Sequence, residues 1–154
     1  MKYFHNIKIT VFIKSEEIKE DADIEKKIIT TLHYLIPLGF VKEKIQLKKQ
    51  KVEGFDNRNI LIFEIDLLKE SHTNAFLEYF LSNITKEQKT MLLFQKESRL
   101  DENFDFFIRL EKTDLLKEKF IITDSGDCFH IKFTIAAFPK KRETALKLID
   151  DILK

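Results

Sequence analysis

Apolar and polar residues alternate through the first segment of the chain, with His5, Ile7, Ile9, Val11 and Ile13 set against Asn6, Lys8 and Thr10. A period of two puts successive side chains on opposite faces, so the segment predicts a strand with one apolar and one polar face. The period then changes. Asp21 and Asp23 supply helix-start chemistry, Ile24, Ile28, Leu32 and Leu35 recur at helical spacing with Ile29 and Ile36 widening the stripe, and Pro37 with Gly39 ends it. Residues 45–52 and 60–67 bracket the turn-rich connector Phe55-Asp56-Asn57-Arg58-Asn59 and predict a hairpin.

Ser71 can cap a helix carrying Ala75, Phe76, Tyr79 and Phe80, and Thr85 with Gln88 forms a capping box for a helix through about Phe94. Phe104, Phe106, Ile108 and Leu110 alternate with Asp105, Phe107 and Arg109 as a further strand. A helical turn near residues 113–119 leads to Phe120-Ile121-Ile122-Thr123, and Asp124-Ser125-Gly126 predicts a turn back into the alternating run Asp127–Phe138, making a second hairpin. The final helix directs Ala145, Leu146, Ile149, Ile152 and Leu153 inward, with Pro139 at or just before its first turn, where its missing amide costs nothing.

Each strand has one apolar face and each long helix one apolar stripe, which two layers satisfy most economically. The fold expected is α/β (α+β): a single domain over residues 1–154, a two-layer sandwich in which helices cover one face of a mixed sheet. The other face then carries Lys8, Thr10, Asp105, Phe107, Arg109, Cys128, His130, Lys132 and Thr134. Cations interleaved with hydroxyls and aromatics suit a surface that contacts phosphates and stacks bases. They equally suit a homodimer or another protein–protein assembly surface.

Composition narrows the classes. A chain of 154 residues buries roughly 70% of its unfolded surface, and 44% hydrophobic residues with 15 Phe supply the core. The single cysteine, Cys128, cannot form an internal disulfide, and His5, Asn6 and Lys8 interrupt any signal-like apolar run, so a cytoplasmic protein without a membrane partner is expected. Gly39, Gly54 and Gly126 are too scattered to build a phosphate-cradling loop, which excludes a P-loop or a dinucleotide fingerprint.

Net charge is only +1, so any polyanion site must be local. Residues 41–59 hold six cations against three carboxylates, and residues 139–154 hold five against three. In the second region Lys140, Lys141 and Arg142 fall at a helix start, where cations oppose the macrodipole. That cost is met either by an RNA phosphate, drawn to the side chains and the free amides of the first turn, or by Glu143 and solvent screening, which would make it negligible.

Other constellations are weaker. Cys128 and His130 share a strand face, yet a structural zinc site needs four ligands, and His5, His33 and His72 lack ligand spacing. Turn formation accounts for Asp124 and Asp127, and paired carboxylates such as Asp101, Glu102 and Asp105 are unspecific as a magnesium site. No catalytic residue, metal or cofactor is expected.

The run Asp127–Ala145, with Phe138-Pro139-Lys140-Lys141-Arg142-Glu143-Thr144-Ala145 after its strand, resembles an archaeal family of predicted RNA-binding proteins, predicted exosome subunits. Similar too are Ile7–Phe12 with the acidic connector after it, the basic hairpin around residues 54–59, and Arg99-Leu100-Asp101-Glu102 ahead of Phe107-Ile108-Arg109-Leu110-Glu111-Lys112. The resemblance implies a fold similar to the large-subunit ribosomal protein that contacts 5S RNA. It also implies non-enzymatic RNA binding in RNA processing or degradation, with RNA-processing proteins as partners. The residues expected to bind RNA are Lys48, Lys49, Lys51 and Arg58 on the hairpin, Arg109 and Lys132 on the sheet, and Lys140, Lys141 and Arg142 at the junction, the first and last groups forming two walls of one groove.

Overall fold

The amino-terminal alternation becomes β1 (Phe4–Lys14), in which Ile7, Ile9, Val11 and Ile13 are fully buried while Lys8 and Thr10 stay partly exposed. The computed structural model describes residues 1–154, the side chain of Asn57 excepted. A short helix α1 (Ser15–Glu20) leads into α2 (Ile24–Leu35), which buries Ile24, Ile28, Leu32 and Leu35 of the predicted stripe together with Thr31, while Ile29 is only half-buried. The hairpin follows as β2 (Lys48–Glu53) and β3 (Asn59–Leu67), joined through a 3-10 turn at Phe55–Asn57.

Next come α3 (Glu70–Asn83), α4 (Lys86–Phe94) and the single turn α5 (Lys96–Arg99). The Thr85 hydroxyl accepts from the Gln88 amide and so caps α4, but the expected capping box is not completed, because the Gln88 side chain instead donates to the Phe120 carbonyl and accepts from the Ile122 amide. Helix α3 begins one residue before Ser71, which therefore lies within its first turn and is not its cap. The chain finishes with β4 (Asp105–Glu111), α6 (Lys112–Leu116), β5 (Ile122–Thr123), β6 (Cys128–Ile135) and α7 (Arg142–Leu153).

The six strands form one sheet in the order β2-β3-β1-β6-β4-β5, with every pairing antiparallel. The α/β two-layer architecture is as expected, but the sheet is not mixed. Strands β1 and β2 do run the same way, as a helical crossover between them requires. Strand β3 inserts between them, and each neighbouring pair is left antiparallel.

The second expected hairpin is also replaced. Strand β5 takes the outer edge of β4, pairing Thr123 with Arg109 and Ile122 with Leu110, while residues 124–127 carry the chain past the end of β4 so that β6 lies on its inner side. The gain is clear: in the centre β6 makes two long ladders, with β1 and with β4, and fully or almost fully buries Phe129, Ile131, Phe133 and Ile135.

Between sheet and helices the core is rich in aromatic rings. The Phe133 ring centroid lies 5.1 Å from that of Phe4 and 6.1 Å from those of Phe76 and Phe80, and Phe120 meets Tyr34, Tyr79 and Phe80 at 6.0 Å. From α7 come Ala145, Leu148, Ile149 and Leu153. Among the described residues no helix is long and apolar enough to cross a membrane.

Candidate nucleic-acid interface

Register decides which polar side chains meet. On the face of the sheet away from the core, one row runs unbroken across all six strands: Lys48, Glu64, Thr10, His130, Arg109 and Thr123. A neighbouring row places Asp66, Lys8, Lys132 and Phe107 side by side, and the next places Asn6, Thr134 and Asp105. The nine residues expected on this face from alternation alone all share it, and all but Cys128 are partly exposed. Phe12, at 36% exposure, completes an aromatic group by meeting His130 edge-on at 5.6 Å between ring centroids.

Carboxylates on this face are partly spoken for. Glu64 pairs with Lys8 at 3.7 Å, Asp66 accepts from Asn6, and Asp105 accepts from the Thr134 hydroxyl. Arg109 and Lys132 make no ion pair among the described residues. The charge of Arg109 is felt by its neighbours. Burial draws the His130 pKa down, and Arg109 lowers it further, so the ring is neutral at pH 7. A neutral imidazole beside Phe12 adds a stacking surface without adding charge.

Cys128 and His130 do approach, with Sγ 3.5 Å from Nε2. Cys128 is only 2% exposed, however, and burial pushes its thiol pKa up, so the reactive thiolate is disfavoured. No group of three or more metal-binding side chains occurs among the described residues.

The two basic regions lie at opposite ends of the sheet. The hairpin connector extends from the end where Ile60 pairs with Lys14, and the junction leaves from the end where Ile135 pairs with Phe4. Ten residues of β1 separate those levels, roughly 33 Å at a strand's rise per residue. The connector with Arg58 and the junction with Lys140 and Lys141 therefore lie at two separate ends, each bearing a Phe that is 95% exposed, Phe55 on the hairpin and Phe138 at the junction, while Lys48 stands between these levels, opposite Glu64 in the row of Thr10.

The individual cations divide further. Lys48 faces solvent in the row of Arg109, whereas Lys49 and Lys51 alternate onto the helical side, where Lys49 pairs with Glu25 of α2 at 2.5 Å. Arg58 reaches Glu16 of α1 at 3.9 Å. Lys140 and Lys141 are exposed. Arg142 turns away from the start of its own helix and donates to the carbonyls of Glu97, Leu100 and Asp101 at the end of α5. A cation is favoured at a helix C-terminus, so the partner that the junction's charge asked for is found within the protein for one of the three.

Two buried cations were not anticipated. Lys112, 3% exposed, donates to the Phe12 carbonyl and pairs with Glu17 at 3.2 Å and Asp127 at 2.8 Å. Arg99 donates to the Gln95 side chain, the Phe107 carbonyl and Asp124. Neither carries a local signal, because tertiary crossing by residues 124–127 is what brings Asp124 and Asp127 to them.

Comparison with known proteins adds the family. The chain is 25% identical over 150 residues to the RNA-binding protein PAB1135 of Pyrococcus abyssi, covering 97% of this chain and 94% of that one. Protein AF2318 from Archaeoglobus fulgidus, of the DUF54 family, has the same fold with a TM-score of 0.80 at 21% identity, over 97% of this chain and 99% of that one. The DUF54 protein Mth689 from Methanothermobacter thermautotrophicus has a TM-score of 0.73 at 26% identity and coverage of 99% of both chains. A family model described as RNA binding matches residues 6–136, from β1 to just past the end of β6, and the chain belongs to that family.

Proposed function

We propose that this protein is a non-enzymatic RNA-binding protein whose solvent-facing sheet surface is the RNA site, with single-stranded RNA laid across β1, β6 and β4. The observation that carries the reading is the pair of unopposed cations, Arg109 and Lys132, set among Phe12, His130 and Phe107. Cations at this spacing take phosphates while the rings stack bases, the division of labour common to single-strand binders. Lys8 and Lys48 extend the charge along the same face, and all of these residues lie within the matched span 6–136. Lys140, Lys141 and Arg142 lie outside it, and with the hairpin cations Lys49, Lys51 and Arg58 they serve at most as outlying contacts for a longer RNA.

Reversing both central charges, Arg109→Glu with Lys132→Glu, is expected to weaken binding of a labelled 12-nucleotide single-stranded RNA about 100-fold, as each removes a charge-assisted phosphate contact. Contact with about four phosphates gives a slope of log affinity against log salt near −3, which the double variant reduces to about −1.5. Fluorescence anisotropy at several salt concentrations measures both. Unchanged affinity in the double variant, with the fold intact by circular dichroism, overturns the assignment.

A part in RNA processing or degradation, in company with the exosome, rests on the sequence resemblance and is tested by co-purification from an archaeal lysate before and after ribonuclease treatment. Assembly through the same face is the second reading, favoured by the apolar strip of Val52, Ile60, Ile62 and Phe12 beside the basic patch. Light scattering separates the two: a dimer abolished by Phe12→Asp while RNA affinity persists gives the face to assembly.

A further inference from the structure

The outer edge of β4 is only half occupied. The two-residue β5 covers Arg109 and Leu110, and farther along, Leu100 bridges Phe106 just after α5. Between them lies a notch of about 290 Å³ lined by Gln95, Ser98, Arg99, Phe107, Arg109 and Asp124. That volume is near the lower end for small-molecule pockets, which run from about 300 Å³.

The charge inside does not cancel. The Arg99 guanidinium, 6% exposed, is held in place by Gln95 at 2.9 Å, the Phe107 carbonyl at 3.2 Å and Asp124 at 2.6 Å. These bonds use three of its five N–H donors. Arg109 shares the notch and has no carboxylate of its own among the described residues. Two guanidinium groups thus face a single carboxylate, whose side chain is 71% exposed. Phe107 supplies an aromatic wall between the notch and the basic sheet face.

A phosphodiester inside an RNA strand carries one negative charge, whereas a phosphomonoester carries about −1.5 to −2 at pH 7 and offers three acceptor oxygens. Planar, bidentate recognition by arginine suits such a group particularly well. We propose that this notch binds the phosphorylated end of an RNA strand, with the terminal phosphate between Arg99 and Arg109 and the terminal base against Phe107. The proposal rests on the reading of the adjoining sheet face as the RNA surface, since it places the strand's end where that face meets the sheet edge.

The test uses one internally labelled 12-nucleotide RNA prepared with a 5′-phosphate, with a 3′-phosphate, or with hydroxyls at both ends, together with adenosine 5′-monophosphate and adenosine as small probes. One phosphorylated end is expected to raise affinity at least about tenfold over the hydroxyl-ended strand, the scale of one charge-assisted contact. Ser98→Glu, an exposed change that puts a negative charge in the notch, is expected to erase the preference, with the hydroxyl-ended strand losing less affinity than the phosphorylated ones. Asp124→Asn removes the competing carboxylate and is expected to enlarge the preference. Equal affinity for all three strands overturns the proposal and leaves the RNA surface standing, and a preference that persists in Ser98→Glu overturns it as well. If no RNA of any kind binds, the reading of the sheet face fails, while tighter binding of the monophosphate than of adenosine still supports the notch.

Discussion

Replacing Phe133 with alanine is expected to destabilise the fold by about 3–5 kcal/mol, the range for emptying a large aromatic site in a packed core. Phe133 sits on β6 with β1 on one side and β4 on the other, 3% exposed, and its ring meets those of Phe4, Phe76 and Phe80. The loss should fall toward the upper end of the range, because an apolar cavity of about 20 Å³ already adjoins it, bounded by Phe4, Phe80, Phe106 and Ile149. Truncation would join the two spaces, and a dry, enlarged void loses dispersion contacts that relaxation cannot restore. Net stabilities of natural domains are about 5–15 kcal/mol, so this one change removes a large share. Urea unfolding followed by circular dichroism should show a lowered midpoint with an unchanged slope. A loss under about 1 kcal/mol would mean that β6 is not the centre of the core.

The second large effect concerns Lys112, for which alanine is expected to cost about 3 kcal/mol, the lower end of the range for breaking a buried ion pair. Its ammonium joins three separate pieces of chain: the Phe12 carbonyl on β1, Glu17 on α1 and Asp127 ahead of β6. Glu17 and Asp127 keep some access to water, with side-chain exposures of 21% and 47%, so water can compensate the carboxylates in part. Lys112→Met, which retains the aliphatic stem, should recover some of the packing and none of the charge pairing. The difference between the two variants in thermal or urea unfolding measures the packing share of the stem, and the loss that remains in Lys112→Met measures the electrostatic share. Equal stability of Lys112→Ala and the parent protein would show the cluster to be incidental.

Period-two and helical patterns made much of this fold legible in the sequence. The buried face of β1, the stripe of α2, the β2–β3 hairpin and the Thr85 cap all follow from residues close together in the chain. Alternation also predicted the membership of the solvent-facing surface, because once a strand's buried face is known the other face follows. Strand order was not legible, since Phe120–Thr123 and Cys128–Ile135 read as adjacent hairpin arms, yet β6 gains more by pairing with both β1 and β4. Counting cations along the chain was a poor guide for the same physical reason. Lys48 and Lys49 are neighbours in sequence but point to opposite faces, and Arg58 and Lys49 meet carboxylates on α1 and α2. The charges of the junction are split likewise, with Arg142 spent on carbonyls of α5.

The central claim is that RNA lies on the sheet face that the helices leave open, and amide NMR of the labelled protein titrated with single-stranded RNA tests it most directly. Perturbations are expected to concentrate at Lys8, Thr10 and Phe12 on β1, His130 and Lys132 on β6, and Phe107 and Arg109 on β4, with α2 and α3 unmoved. Perturbations confined to the helical layer or to the hairpin connector, with those three strands silent, would contradict it.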